Sequence, residues 1–266
     1  MSICHYKITT HESCSHWVVL IHGLFGSLDN LNMLAKHLAS SANIIQIDLP
    51  DHGASSHSDN ISIQNYVTAV QQTLQMLGIS AAHFVGHSLG GKIAMGLALN
   101  EPGLVTSLVV ADIAPVAYPQ RHEKVFAALN HIDLKALSNR AEATATFTQM
   151  LDDEGTRQFL LKSLKKNNET GVWFWQFNLA KLQRDYTKLI AWPYSQLSSK
   201  VPTLFIKGAE SDYILADHQD AIVTQFPRAK AHIIQGTGHW LHAQKPIVFN
   251  GVVSKFILAQ INKRLI

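Results

Sequence analysis

Ala81-Ala82-His83-Phe84-Val85-Gly86-His87-Ser88-Leu89-Gly90-Gly91-Lys92-Ile93-Ala94-Met95-Gly96-Leu97-Ala98-Leu99 carries the most distinctive local pattern in the chain. An apolar run ending at Val85 gives way, across Gly86–Gly90, to a segment with helical character from Gly91 to Leu99. A sharp strand-to-helix turn of this kind pushes the serine hydroxyl out of the backbone. Glycine on either side lets neighbouring chain pass closely. Ser88 then stands at a helix N-terminus, whose unpaired amides favour negative charge developing beside the hydroxyl. The pattern points to a covalent nucleophile.

A serine hydroxyl attacks well only when an imidazole takes its proton and a carboxylate fixes that imidazole's tautomer. His239, in Gly236-Thr237-Gly238-His239-Trp240, follows the apolar run Ile233-Ile234 and is the expected base, with His242 as a rival. Asp212, after the strand-like 201–206, is the expected orienting acid. Glu210 is a nearby rival, and Asp112, at the end of 106–111, is another that points to the same sheet edge. An oxyanion needs two fixed donors. The amide of Leu89, next after the nucleophile, supplies one, and that of Leu24 in His22-Gly23-Leu24-Phe25-Gly26 is expected to supply the other. His22, His87 and Trp240 are expected to border the site, with His22 anchoring the loop it begins.

Short apolar segments at 17–21, 43–48, 82–86, 106–111, 201–206 and 231–234 read as strands, several of them apolar on both faces. Residues 2–8 alternate as a half-exposed edge strand does. Between them lie helical stripes: Leu31, Leu34 and Leu38; Tyr66, Val70, Leu74 and Leu77, capped by Ser62 and closed by Gly78; and Phe249, Val253, Phe256 and Ile257 after Pro246. This alternation predicts a doubly wound α/β sheet. It breaks over 118–197, where four helical patterns follow one another and Trp173, Phe174, Trp175, Phe177 and Trp192 concentrate. That segment is expected to be an all-helical cap over the sheet's C-terminal edge, its aromatics serving both as its own core and as an apolar substrate wall. Residues 1–117 and 198–266 would form the core.

With 266 residues, 47% hydrophobic and 15% charged, the composition is that of a folded globular protein. The balance of 22 Lys+Arg against 19 Asp+Glu is too even to suggest a nucleic-acid partner. Lys162 with Lys165-Lys166 reads as a solvated helix face. No apolar run approaches the roughly 18 residues of a membrane span, so no stable membrane insertion is expected. The fifteen histidines show no metal-site spacing, and no metal or cofactor is expected. Two cysteines, Cys4 and Cys14, and a start without signal-peptide character suit a cytoplasmic setting.

Gly86-His87-Ser88-Leu89-Gly90-Gly91, His22-Gly23-Leu24-Phe25-Gly26, Asp48-Leu49-Pro50-Asp51-His52-Gly53-Ala54-Ser55 and Gly238-His239 together resemble the α/β-hydrolase family. The likeness is greatest to small cytoplasmic serine esterases of the YbfF type, and it weakens over 118–197. The resemblance implies a mostly parallel sheet with a helical cap inserted after the sixth strand. It implies a Ser88–Asp212–His239 triad, with Leu24 and Leu89 as oxyanion amides and 48–55 as a structural loop bordering the site. The expected activity is hydrolysis of small-molecule esters of small or medium acyl groups through an acyl-enzyme. Two other readings are an acyl-CoA or acyl-carrier thioesterase, with Arg157, Lys165 and Lys166 facing a phosphorylated carrier, and a non-enzymatic ligand receptor on the same fold. Oligomeric state is not legible.

Overall fold

The computed structural model describes residues 3–101 and 103–263. Along the chain run β1 (Tyr6–Thr9), β2 (Trp17–Ile21), α1 (Asn32–Leu38), β3 (Asn43–Ile47), α2 (Ile63–Met76), β4 (Ala82–His87), α3 (Leu89–Asn100) and β5 (Val105–Ala111). There follow α4 (Glu123–His131), α5 (Arg140–Met150), α6 (Glu154–Ser163), β6 (Leu164–Lys166), β7 (Trp173–Trp175), α7 (Leu179–Arg184) and α8 (Tyr186–Ile190). The chain then re-enters the sheet with β8 (Thr203–Gly208), α9 (Gln219–Gln225), β9 (Ala229–Ile234), α10 (Leu241–Gln244) and α11 (Pro246–Lys263).

Seven strands form one sheet in the order β1-β3-β2-β4-β5-β8-β9, with only β1 antiparallel to its neighbour. The alternation of side chains along each strand divides the core in two. Val19 and Ile21 pack with Phe84, Leu108 and Val110 beneath α2, α3 and the segment after β5. Val18 and Leu20 pack with Val85 and Val109 against Leu34 and Leu38 of α1 and Phe249, Val253 and Ile257 of α11. Ser62 Oγ accepts the Asn65 amide at 3.1 Å to start α2, and Gly78, at φ +69°, closes it.

The fold differs from expectation in three places. The edge strand expected at 2–8 is Tyr6–Thr9, and it alone precedes β2 among the described residues, so the long insertion follows the fifth strand rather than a sixth. That insertion is not all helical: β6 and β7 pair as an antiparallel hairpin between α6 and α7. The cause is local, because Trp173-Phe174-Trp175 favours extended backbone, and Lys165 and Lys166 therefore lie on a strand instead of a helix face. Strand β9 starts at Ala229, two residues before the expected 231–234, and is largely exposed.

Candidate active site

The sheet's C-terminal edge gathers the chemistry. Ser88 follows β4 directly with φ +52° and ψ −118°, a conformation that costs a residue with a side chain about 1–3 kcal/mol. Its amide donates to Ala111 O at 2.9 Å, which ties the turn to β5. The turn closes only because its neighbours lack side chains. A Cβ on Gly86 would lie 2.2 Å from Gly90 O, and one on Gly90 would lie 2.3 Å from Ile21 O. Leu89 is the first residue of α3, so its amide has no partner within the helix.

His239 lies on the loop between β9 and α10. Its Nδ1–H donates to Asp112 Oδ2 at 2.8 Å. Asp112 follows β5 at φ +54° and is fully buried. Its carboxylate also accepts the Gly208 amide at 3.1 Å and the Ser211 hydroxyl. Three donors therefore fix the orientation of this carboxylate. The expectation that Asp212 fills this position is corrected. Its side chain is 70% exposed and pairs with Arg121, while Glu210 is exposed. Asp112 lies on the strand beside the serine turn, and β8 brings Gly208 and Ser211 to it. With Nδ1 engaged, Nε2 is the ring nitrogen available for proton transfer. No hydrogen bond joins the Ser88 hydroxyl to this ring among the described residues; that contact is commonly long in ligand-free sites and shortens when substrate binds.

The ring is held on other sides too. Tyr213 stacks on it with centroids 3.7 Å apart and planes 14° from parallel. The Arg121 guanidinium covers Tyr213's other face at 3.9 Å. His87 donates from Nε2 to His239 O at 2.9 Å. Burial, then the neighbouring His242 and His239, push the His87 imidazole well below the ordinary histidine range, so the ring is neutral with its proton on Nε2. His242, the rival base, is buried against His87 at a centroid distance of 4.3 Å and is pushed down to about 3 by burial.

The loop carrying Leu24 has its own scaffold. His22 Nδ1–H donates to Gly23 O at 2.7 Å, and its Nε2 accepts the Leu49 amide at 3.0 Å. Burial lowers its pKa and keeps this neutral tautomer. His22 thus sits behind the loop carrying Leu24, fully buried and away from the cavity. The 48–55 loop supports it in turn, because Asp48 accepts the amides of Leu28 at 2.7 Å and Ala54 at 2.9 Å.

Ser88 and His239 line one cavity of about 310 Å³, together with Leu24, His87, His122 and Trp240. Trp240 stacks on Phe159 at 4.0 Å and donates to Asp153 Oδ2 and Thr156 Oγ1, so it joins the core to α6. The aromatic wall expected from the insertion is made of other residues. Trp175, Phe177 and Trp192 are buried in the hydrophobic core that continues from the face of the sheet beneath α2 and α3, Phe174 is exposed, and none of the five lines this cavity. Arg157 donates to the Leu151 and Asp152 carbonyls, and Lys166 lies 5.6 Å from the Trp173 ring; neither they nor Lys165 line the cavity.

Sequence reasoning missed Arg121, His122, Ser211, Tyr213 and Lys92. The last is a buried lysine one turn after Ser88, drawn down to about 7 by burial. Its signal was available, since a lysine inside the otherwise apolar segment Leu89–Leu99 demands a partner. The others carry no local pattern.

The alpha/beta hydrolase fold family matches residues 16–246. Esterase YbfF of Escherichia coli K12 is 41% identical over 233 residues, covering 86% of this chain and 88% of that protein. The mouse sn-1-specific diacylglycerol lipase ABHD11 is 35% identical over 95% of this chain and 84% of its own length. The solved structure of a marine microorganism esterase superimposes with a TM-score of 0.91 at 31% identity, covering 96% of this chain and all of that one. The chain belongs to the α/β-hydrolase fold family.

Proposed function

We propose that the protein is a serine carboxylesterase working through Ser88, His239 and Asp112. The observation that carries this reading is a strained serine opening into a cavity that also holds an imidazole fixed by a buried aspartate. Ser88 Oγ attacks the ester carbonyl while His239 Nε2 takes its proton, and Asp112 stabilises the imidazolium. The tetrahedral oxyanion accepts from the Leu24 and Leu89 amides, each worth about 3 kcal/mol to the transition state, aided by the N-terminus of α3. His239 then protonates the leaving alcohol. It next removes a proton from water, which attacks the acyl group and frees Ser88. The segment 118–197 acts as the cap that walls the leaving-group side.

Relatives named esterase and diacylglycerol lipase support ester substrates. A thiol ester would follow the same steps, but the cationic residues expected to meet a phosphorylated carrier lie away from the cavity. No helix among the described residues is long and apolar enough to cross a membrane. The free thiols of Cys4 and Cys14 suit the reducing setting we assign to the protein. The test is incubation with a fluorophosphonate and mass spectrometry, alongside turnover of p-nitrophenyl esters. A covalent adduct on Ser88 with turnover is expected. Absence of both, while a control esterase reacts, would favour a ligand receptor on this fold.

A further inference from the structure

Ser88 borders a second and much smaller cavity, about 40 Å³, lined by Leu24, Leu89, Lys92, Ile113, Tyr118 and Leu189 among others. His239 lines the 310 Å³ cavity and not this one. A general acid must lie beside the oxygen it protonates. The alcohol half of the ester therefore belongs in the larger space, on the His239 side. The acyl chain is left the small slot, which adjoins the larger cavity along Leu24, Ser88, Arg121, His122 and Tyr213 and has a mostly apolar exposed lining. This assignment rests on the esterase reading above.

The slot is shallow for a definable reason. Lys92 is one turn of α3 beyond the nucleophile, its amide donating to Ser88 O at 3.1 Å, a rise of about 6 Å along the helix. Its side chain is buried, and Nζ donates to the carbonyls of Ile190 at 2.7 Å and Ala191 at 3.0 Å, at the end of α8. The Tyr118 ring lies 5.0 Å from Nζ. Tied at its head to the cap and at its Cα to the nucleophile's own helix, this side chain has no path aside for a longer chain. The slot is much smaller than the cavity on the His239 side, which suits a short acyl chain.

We propose that Lys92 is a specificity-determining residue that ends the acyl slot, restricting the enzyme to esters of short-chain acids. The measurement is kcat/KM for p-nitrophenyl acetate, butyrate, hexanoate and octanoate with the wild type, Lys92→Ala and Leu189→Ala. The wild type is expected to lose at least tenfold between butyrate and octanoate. Both variants are expected to raise the octanoate-to-butyrate ratio at least tenfold. If Lys92→Ala does not fold, Leu189→Ala carries the comparison, since it opens the slot from the cap side. A wild type that hydrolyses octanoate as fast as butyrate overturns the proposal. So does an unchanged ratio in the folded variants, which would leave Lys92 as a structural tie alone. Fluorophosphonate labelling of Ser88 is run on each protein. Loss of labelling in the wild type counts against the esterase reading itself, whereas labelling with an unchanged ratio counts only against the slot.

Discussion

Asp112 and Asp212 separate cleanly under substitution because their surroundings differ in kind. The Asp112 carboxylate is buried and accepts from His239, Gly208 and Ser211, whereas Asp212 faces solvent and meets Arg121. Asp112→Asn lets His239 Nδ1 act as an acceptor and puts the proton on Nε2, the wrong tautomer for a base. A fall in kcat of about 10⁴-fold is expected. Asp212→Asn should change kcat less than tenfold, since an exposed ion pair contributes about 0–1 kcal/mol. Steady-state kinetics on p-nitrophenyl butyrate checks both. A large loss at Asp212 with little at Asp112 would return the orienting role to the position first expected.

At the scale of elements, the junction of β4 and α3 is held against the end of β2 by the absence of a single carbon. A Cβ at Gly90 would stand 2.3 Å from Ile21 O and 2.5 Å from His22 O, so Gly90→Ala must push the serine turn away from the loop carrying Leu24. Displacements of about 1 Å in such sites cost on the order of 10²-fold in rate. That loss is expected in kcat, with the far-ultraviolet circular dichroism of the native sheet retained. Helix α2 offers a contrast remote from the chemistry. Ser62→Ala removes its cap and should lower stability by about 1 kcal/mol in urea titration, leaving kcat unaltered.

Across the whole molecule, neutral histidines that are buried (His52, His242) or half-buried (His122) set the response to acid. Burial is the main cause that draws His52, His122 and His242 down to about 3. In the unfolded chain each takes a proton near the ordinary value of about 6.5. Below that pH the unfolded state binds more protons than the folded one, so stability present above about 6.5 is lost progressively as pH falls toward 3. The slope is about 1.4 kcal/mol per histidine for each pH unit within the window. Urea midpoints measured between pH 7.5 and 5 should fall steeply below 6.5. A flat profile would mean that these rings are protonated in the folded protein.

The serine turn, the histidine loop after the last strand and the alternation of strands and helices were legible in the chain because each rests on neighbours in sequence. Gly86 and Gly90 flank Ser88, Gly238 precedes His239, and Tyr66, Val70 and Leu74 repeat at the helical period. The aspartate that meets His239 was not legible in the same way. Asp112 and Asp212 both follow strands at one sheet edge and both precede His239, so chain order allows either. Folding decides between them by placing β8 beside β5, which delivers the Gly208 amide and Ser211 hydroxyl to one carboxylate and leaves the other in water. The cavity walls were hidden for the same reason. Tyr213, Arg121 and Lys92 acquire their partners from segments distant in sequence, and no local periodicity records a contact that only the packed sheet and cap create.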